Sequence, residues 1–177
     1  MCRYGLTTYK PHYACFDCKK TFKRRLISDI NQNHNQSVEA KCPQCGQLMA
    51  NMGLDFASPK KDDVKKWAHL KTLYTVGITF HSCGCSGPGY IPNSTEKLKE
   101  YFEDIKKNYF KNLDFWRQRT EPTNSREIDS DKSKNWEFIS RLPSIITEKK
   151  GLISNEDAKN YWFDKIKQVE LKLEKIK

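Results

Sequence analysis

Two pairs of cysteines, each with the spacing C-x-x-C, constrain this chain more than any other feature of its sequence. The first pair is Cys15 and Cys18, and the second, Cys42 and Cys45, lies 23 residues further on in the run Cys-Pro-Gln-Cys-Gly. A C-x-x-C turn brings two thiolates to about 2.3 Å from one ion, and two such turns complete a tetrahedral shell. We therefore predict that these four cysteines bind one structural zinc ion.

A zinc ion with four thiolate ligands has no open coordination position, so the predicted site stabilises the fold and catalyses no reaction. The alternatives are four ordinary buried cysteines or a redox-active C-x-x-C pair. The duplicated pair and the missing strand-then-helix setting disfavour redox chemistry. The chain has seven cysteines, and an odd number without an export signal disfavours a disulfide framework.

The cysteine pattern resembles that of the zinc-ribbon superfamily, in which knuckles of the form C-x-x-C and C-P-x-C-G lie on β-hairpins. The resemblance covers residues 9–56, under a third of the chain. It implies a small metal-stabilised β module but no particular function, because zinc ribbons occur in transcription factors, ribosomal proteins and tRNA-modifying enzymes. The chain is also similar to bacterial zinc-ribbon proteins of unassigned activity, which implies no mechanism.

Strand-like and helix-like patterns together predict an α+β fold with modest apolar cores, since 37% of the residues are hydrophobic and 31% are charged. Five segments follow in order: a zinc ribbon over 1–57, a helix and strand over 58–93, a long amphipathic helix over 94–119, a polar linker over 120–150 and a C-terminal amphipathic helix over 151–177. The predicted ribbon strands are Tyr13–Phe16, Thr21–Ile27 and Val38–Lys41.

Local signals place the helix ends. Pro59 is a favourable first helical residue, which puts Lys60 and Lys61 at the N-terminus of the first helix, and the alternation in Val76–Phe80 predicts a strand after it. Asn93 begins a sequence that resembles a capping box, and Ser154 begins another before the last helix. Residues 120–134 contain almost no large apolar side chains and are expected to be exposed.

A second group of potential ligands, His81, Cys83 and Cys85, alternates along one face of the predicted strand region. Same-face side chains of a strand lie roughly 6.5–7 Å apart, whereas thiolates on one zinc ion lie about 3.8 Å apart, so the chain would have to bend at Gly84. Cys2 as a fourth ligand would close a second zinc site, and water in that position would give a catalytic type of site. The remaining alternative is half-buried cysteines beside a hydrogen-bonded histidine.

Basic residues follow the first cysteine pair directly. Of the net charge of +10, residues 1–75 carry +7, with 13 Lys and Arg against 6 Asp and Glu. Such clusters attract phosphates, and aromatic side chains among them can stack on unpaired bases. The alternative is a solvated hairpin whose aromatic residues fill a small core. The candidate nucleic-acid-binding residues are Lys19, Lys20, Phe22, Lys23, Arg24, Arg25, Lys60 and Lys61.

These patterns favour a non-enzymatic structural-zinc protein that binds RNA or a ribonucleoprotein surface such as that of the ribosome. One alternative is an adaptor whose helices contact a protein through Trp116 and Trp162. Another is a zinc-dependent hydrolase or nuclease at His81, Cys83 and Cys85, although no carboxylate general base is evident beside them. No small-molecule substrate is indicated.

The chain begins without an apolar export signal and contains no run of about 18–20 apolar residues. We therefore predict a cytoplasmic protein that does not enter a membrane. Reduced cysteines, which metal binding requires, agree with that compartment.

Overall fold

The computed structural model describes residues 10–24, 39–82, 86–147 and 153–176. They form an α+β fold, as predicted, with a three-stranded antiparallel sheet followed by helices. The strands are β1 (His12–Cys15), β2 (Lys20–Lys23) and β3 (Ala50–Gly53). The helices are α1 (Val64–Thr75), α2 (Thr95–Gln118), α3 (Ser125–Lys134), α4 (Trp136–Ile139), α5 (Ser144–Thr147) and α6 (Asn155–Glu174). The chain divides after Lys97 into an N-terminal and a C-terminal unit.

The sheet has the order β2-β1-β3, so β1 is its central strand. Tyr13 of β1 lies opposite Phe22 of β2 and Asn51 of β3. The predicted strands at Tyr13 and Thr21 are present within one residue at their starts, whereas Ile27 and Val38 lie outside the described residues. Strand β3 was not predicted, because its short run Ala-Asn-Met-Gly has neither aromatic nor β-branched side chains.

The segment Val76–Phe80, predicted as a strand, is not one. Val76 and Gly77 end α1, where the Gly77 N–H donates to the Tyr74 carbonyl (3.0 Å) and the Ile78 N–H to the Leu73 carbonyl (2.9 Å). This is the Schellman arrangement, and Gly77 has the positive φ that it requires (83°). The helix terminator therefore overrides the alternating pattern.

The first helix begins at Val64, five residues after the predicted start. The carboxylate of Asp63 accepts a hydrogen bond from the Lys66 N–H (3.1 Å) and caps the helix. Lys60 and Lys61 therefore precede α1 and do not lie in its first turn, contrary to the prediction. The Lys60 carbonyl accepts a hydrogen bond from Trp67 Nε1 (3.0 Å).

At Gly53 the sheet makes its closest approach to the following chain. The Phe80 N–H donates to the Met52 carbonyl (2.8 Å), and a Cβ on Gly53 would lie 2.5 Å from the Phe80 carbonyl carbon. Gly53 also has a φ of 95°, which side chains disfavour. Both constraints exclude any larger residue here.

Replacing Gly53 with alanine is therefore expected to destabilise the N-terminal unit by about 3 kcal/mol, through a backbone clash added to a disfavoured φ. Gly77→Ala is the matched control, because Gly77 has a similar φ of 83° but no atom within 4 Å of the added Cβ. That substitution should cost about 1 kcal/mol. Urea unfolding of the metal-loaded protein measures both, and equal losses would contradict the clash at Phe80.

The C-terminal unit has an apolar core of its own, to which α2, α4 and α6 contribute. Trp116 and Trp162 are 0% and 4% exposed in this core. Its buried residues are Leu113, Trp116, Ile139, Leu142, Ile153, Ala158, Trp162 and Ile166. The two tryptophans proposed as anchors for a protein partner are therefore core residues of this unit.

Residues 120–150, predicted as an exposed linker, instead contain α3, α4 and α5. None of the residues of α3 is buried, so its sequence has no apolar pattern that would predict a helix. Reciprocal capping stabilises its start: the Asn124 side chain accepts from the Glu127 N–H (3.0 Å), and the Glu127 carboxylate accepts from the Thr123 N–H (2.8 Å). The last helix starts after Ser154, the cap that the sequence predicted.

A buried arginine connects α3 to the start of α6. The Arg119 side chain is 3% exposed and donates from Nε and a terminal nitrogen to the carboxylate of Asp131, at 2.7–3.2 Å. Its other terminal nitrogen donates to the Ile153 carbonyl (3.0 Å) and to Asn155 Oδ1 (2.7 Å). Asn135 donates to the same carboxylate (2.7 Å). The ion pair is therefore hydrogen-bonded at both partners.

Candidate metal centre

The four cysteines of the two C-x-x-C pairs meet at one point of the N-terminal unit. Their sulfur atoms all lie within 4.8 Å of one another. The Sγ atoms of Cys15 and Cys45 are 3.6 Å apart, and those of Cys18 and Cys42 are 4.0 Å apart. Thiolates that share a tetrahedral ion at about 2.3 Å lie about 3.8 Å apart. The cysteines are therefore spaced to hold one metal ion, consistent with zinc-ribbon-like knuckles.

The first knuckle is the turn between β1 and β2. Cys15 ends β1, Lys20 begins β2, and Cys18 lies in the turn between them. Lys19 has a φ of 51°, and no other non-glycine residue among those described has a positive φ. This left-handed backbone turns the chain from the second ligand into β2.

The second knuckle is a tight hairpin. The Cys42 N–H donates to the Gln47 carbonyl and the Gly46 N–H donates to the Cys42 carbonyl, both at 2.8 Å. Lys41 and Leu48 pair across its base. Gly46, with a φ of 75°, occupies the position after the second ligand that Lys19 occupies in the first knuckle. Backbone hydrogen bonds thus shape the turn that carries the Cys42 and Cys45 sulfurs.

A small apolar cluster surrounds the sulfurs on one side. Cys15 and Cys42 are each 2% exposed, whereas Cys18 is half-buried and Cys45 is exposed. Ala40 and Met49 complete the buried cluster, and Tyr13 and Phe22 pack against it half-buried. Phe22, predicted to stack on a base, therefore belongs to the core around the metal site.

The pKa values of Cys15, Cys18 and Cys42 are shifted by their environments. Burial raises the pKa of Cys15, and a hydrogen bond with the sulfur of Cys45, together with burial, raises the pKa of Cys18 to about 12. Burial also acts to raise the pKa of Cys42, but backbone N–H groups of Cys45 and Gln44 outweigh it and lower that pKa to about 7. Metal binding must displace the remaining protons, so affinity for a metal falls as pH falls.

The second predicted group of ligands falls mostly on residues that the structure does not describe. Cys2, Cys83 and Cys85 lie outside the described residues. His81 is exposed, and its Nδ1 lies 2.9 Å from Thr79 Oγ1. Among the described residues, the four-cysteine group is the one cluster of histidine, cysteine and carboxylate side chains able to hold a metal.

The predicted nucleic-acid-binding residues have different environments. Lys20 and Lys23 are exposed on β2, Lys60 and Lys61 are exposed before α1, and Lys19 is half-buried. The Arg24 guanidinium donates to the Lys41 carbonyl (3.2 Å) and so joins the two knuckles, a role that the sequence did not indicate. Arg25 lies outside the described residues.

Most of the lysines that the structure describes in the N-terminal unit form no ion pair with a described acidic residue. Within its described part, the one ion pair joins Lys66 to Asp63 (3.0 Å). Burial and the positive charge of Lys23, which lies opposite on β2, lower the pKa of His12. The lysines therefore produce a positive potential at the sheet that the unit itself does not neutralise.

Comparison of the chain with protein-family models, curated proteins and solved structures found no match. The function proposed for this protein therefore rests on its own residues. No helix in the described ranges is long and apolar enough to cross a membrane.

Proposed function

We propose that this protein is a non-enzymatic zinc-ribbon protein of the cytoplasm that binds RNA, free or in a ribonucleoprotein, through its N-terminal unit. Four thiolates whose sulfurs lie within 4.8 Å of one another favour zinc. A shell closed by four such ligands leaves no position for a substrate. The zinc ion would then hold the two knuckles and the strand between them in one rigid shape. The metal site supports binding but takes no part in chemistry.

One observation carries the assignment to RNA: the N-terminal unit has exposed lysines that form no ion pair with any described acidic residue. Lys20 and Lys23 project from β2, beside the first knuckle, and Lys60 and Lys61 add charge before α1. Lysine side chains of this kind bind phosphates, because each contact releases counterions from the nucleic acid. A cation cluster that a protein leaves unpaired is the electrostatic pattern of a nucleic-acid-binding surface.

Neither alternative function gains support from the described residues. An adaptor that uses Trp116 and Trp162 would have to expose two side chains that fill the core of the C-terminal unit. The hydrolase alternative was placed at His81, Cys83 and Cys85. Of these, the described residues include His81 alone, which is exposed with its Nδ1 2.9 Å from Thr79 Oγ1.

The proposal predicts salt-dependent RNA binding that weakens when the β2 lysines are neutralised. Fluorescence anisotropy with a labelled 20-nucleotide RNA should show affinity that falls steeply from about 50 to 200 mM salt. For Lys20→Gln/Lys23→Gln, the slope of log K against log salt should fall by about 1.4 if both lysines contact phosphates, because each contact to a single strand contributes about 0.7.

The matched control removes the same charge from the C-terminal unit, at Lys99 and Lys111. Both are exposed on α2 and form no ion pair within the described chain. Lys99→Gln/Lys111→Gln should bind RNA as the unmodified protein does. Absence of binding at low salt, or equal losses in the two double variants, would overturn the proposal.

A further inference from the structure

An aromatic ring of the first knuckle contacts two aromatic rings of α1. The ring of Phe16, between two metal ligands, lies 5.9 Å from that of Tyr74 at 49° and 6.5 Å from that of Trp67 at 77°. Trp67 is 2% exposed, whereas Tyr74 is 40% exposed. The three rings thus form a continuous group, in which the Trp67 side chain is buried and the Tyr74 side chain is exposed to solvent.

The Trp67 ring and the backbone that carries the other two rings are held in position. Trp67 Nε1 donates to the Lys60 carbonyl (3.0 Å), and the Tyr74 carbonyl accepts from Gly77 in the helix terminator. Phe16 lies in the turn between Cys15 and Cys18, which a bound metal would fix. A ligand that docks on Tyr74 would therefore meet an ordered surface, and little conformational entropy would be lost.

Lysines accompany the Tyr74 and Phe16 rings in the sequences of α1 and of the first knuckle. Lys71 is exposed one helical turn before Tyr74, and Lys19 and Lys20 follow Phe16 in the first knuckle. None of these three lysines forms an ion pair within the described chain, and Asp17 is the one acidic residue in the same turn. An aromatic face next to unpaired cations can contact a base and its flanking phosphates together.

We propose that Tyr74, supported by Phe16, stacks on an unpaired base, and that the nucleic acid bound by this protein is therefore single-stranded RNA. The inference rests on the proposed RNA-binding function and specifies its substrate class. A base inside a duplex is already stacked on its neighbours and is not available to Tyr74. Two further aromatic residues of this unit, Tyr13 and Phe22, pack against the cysteine cluster.

Three variants test the stacking role. Tyr74→Leu keeps an apolar side chain but removes the ring, and its affinity for an unstructured uridine-rich RNA should fall about 5- to 100-fold. Tyr74→Phe keeps the ring and should bind as the unmodified protein does. Phe110→Leu removes an aromatic ring that is 39% exposed on α2, nearly the same exposure, and should have no effect.

The readouts separate this inference from the proposed function. In Tyr74→Leu the slope of log K against log salt should stay unchanged, since no charge is removed, and weak binding to duplex RNA should be unaffected. Metal content and thermal unfolding of each variant show whether the fold is retained. If Tyr74→Leu fails to fold, Tyr74→Ser and protection of Tyr74 fluorescence by RNA replace it.

Undiminished, salt-dependent binding by folded Tyr74→Leu would overturn the stacking inference and leave the proposed function standing. Equal losses for single-stranded and duplex RNA would also overturn it. No RNA binding by the unmodified protein would overturn both. Capture of a protein through Tyr74 after nuclease treatment would show that this surface binds protein and not RNA, and would also overturn the stacking inference.

Discussion

Removal of the metal ion is expected to unfold the N-terminal unit while the helices of the C-terminal unit persist. The core around the cysteines is small, with Ala40 and Met49 as its other buried members. A structural zinc ion contributes about 10–16 kcal/mol in small zinc domains, which is comparable to the whole stability of an ordinary domain. The C-terminal unit contains no cysteine and has its own apolar core.

Metal content by mass spectrometry, circular dichroism and limited proteolysis before and after chelation measure this effect. Cys42→Ser should lose metal and become protease-sensitive in its first 97 residues. Cys83→Ser is the control and should keep one zinc ion per chain if the four-cysteine site is the only one. Two zinc ions in the unmodified protein would support a second site at Cys2, His81, Cys83 and Cys85. Metal-free protein with unchanged protease resistance would contradict the structural role.

Truncation of Asp131 to alanine should destabilise the C-terminal unit by about 3–5 kcal/mol, because it leaves the Arg119 guanidinium buried without its counter-ion. The Arg119 side chain is 3% exposed and that of Asp131 13%. Asp104→Ala is the control, since its pair with Lys107 is 72–73% exposed and should contribute less than about 1 kcal/mol. Urea unfolding monitored by the helical signal measures both, and similar losses would contradict a buried ion pair.

The same ion pair makes stability depend on pH in a defined direction. Burial acts to raise the pKa of Asp131, but hydrogen bonds from Arg119 and Asn135 outweigh it and hold that pKa below its ordinary value of 3.8. The unfolded chain therefore binds this proton more tightly than the folded chain. The stability that the Asp131 carboxylate adds to the folded chain is fully present well above pH 3.8. It is lost as pH falls through the pKa of Asp131 in the folded chain. Asp131→Ala should lack this part of the acid destabilisation.

Features set by local chemistry were predictable from the sequence. The cysteine spacing indicated which four sulfurs converge, because a tetrahedral shell needs two short turns, and Ser154 marked the start of the last helix through its side-chain cap. The α+β class followed from the two periodicities. These signals depend on residues within a few positions of one another.

Features set by contacts between distant residues were not predictable. The solvent-exposed α3 depends on Arg119, whose partners lie 12 and 36 residues away, and its sequence has no apolar stripe. Strand alternation around Phe22 defined two faces but not which face the cysteine core covers. The aromatic contact between Phe16 and Tyr74 joins a knuckle to a helix 58 residues away, and only the fold brings them together.

The two knuckles differ at the position that follows their second ligand, and the difference has an energetic consequence. Gly46 takes its left-handed backbone at little cost, whereas Lys19 adopts a similar one at roughly 1–2 kcal/mol. Metal coordination alone would be served better by glycine at both positions. Under the proposed RNA-binding function, this cost is the stability that the chain gives up to place a cation directly after a metal ligand.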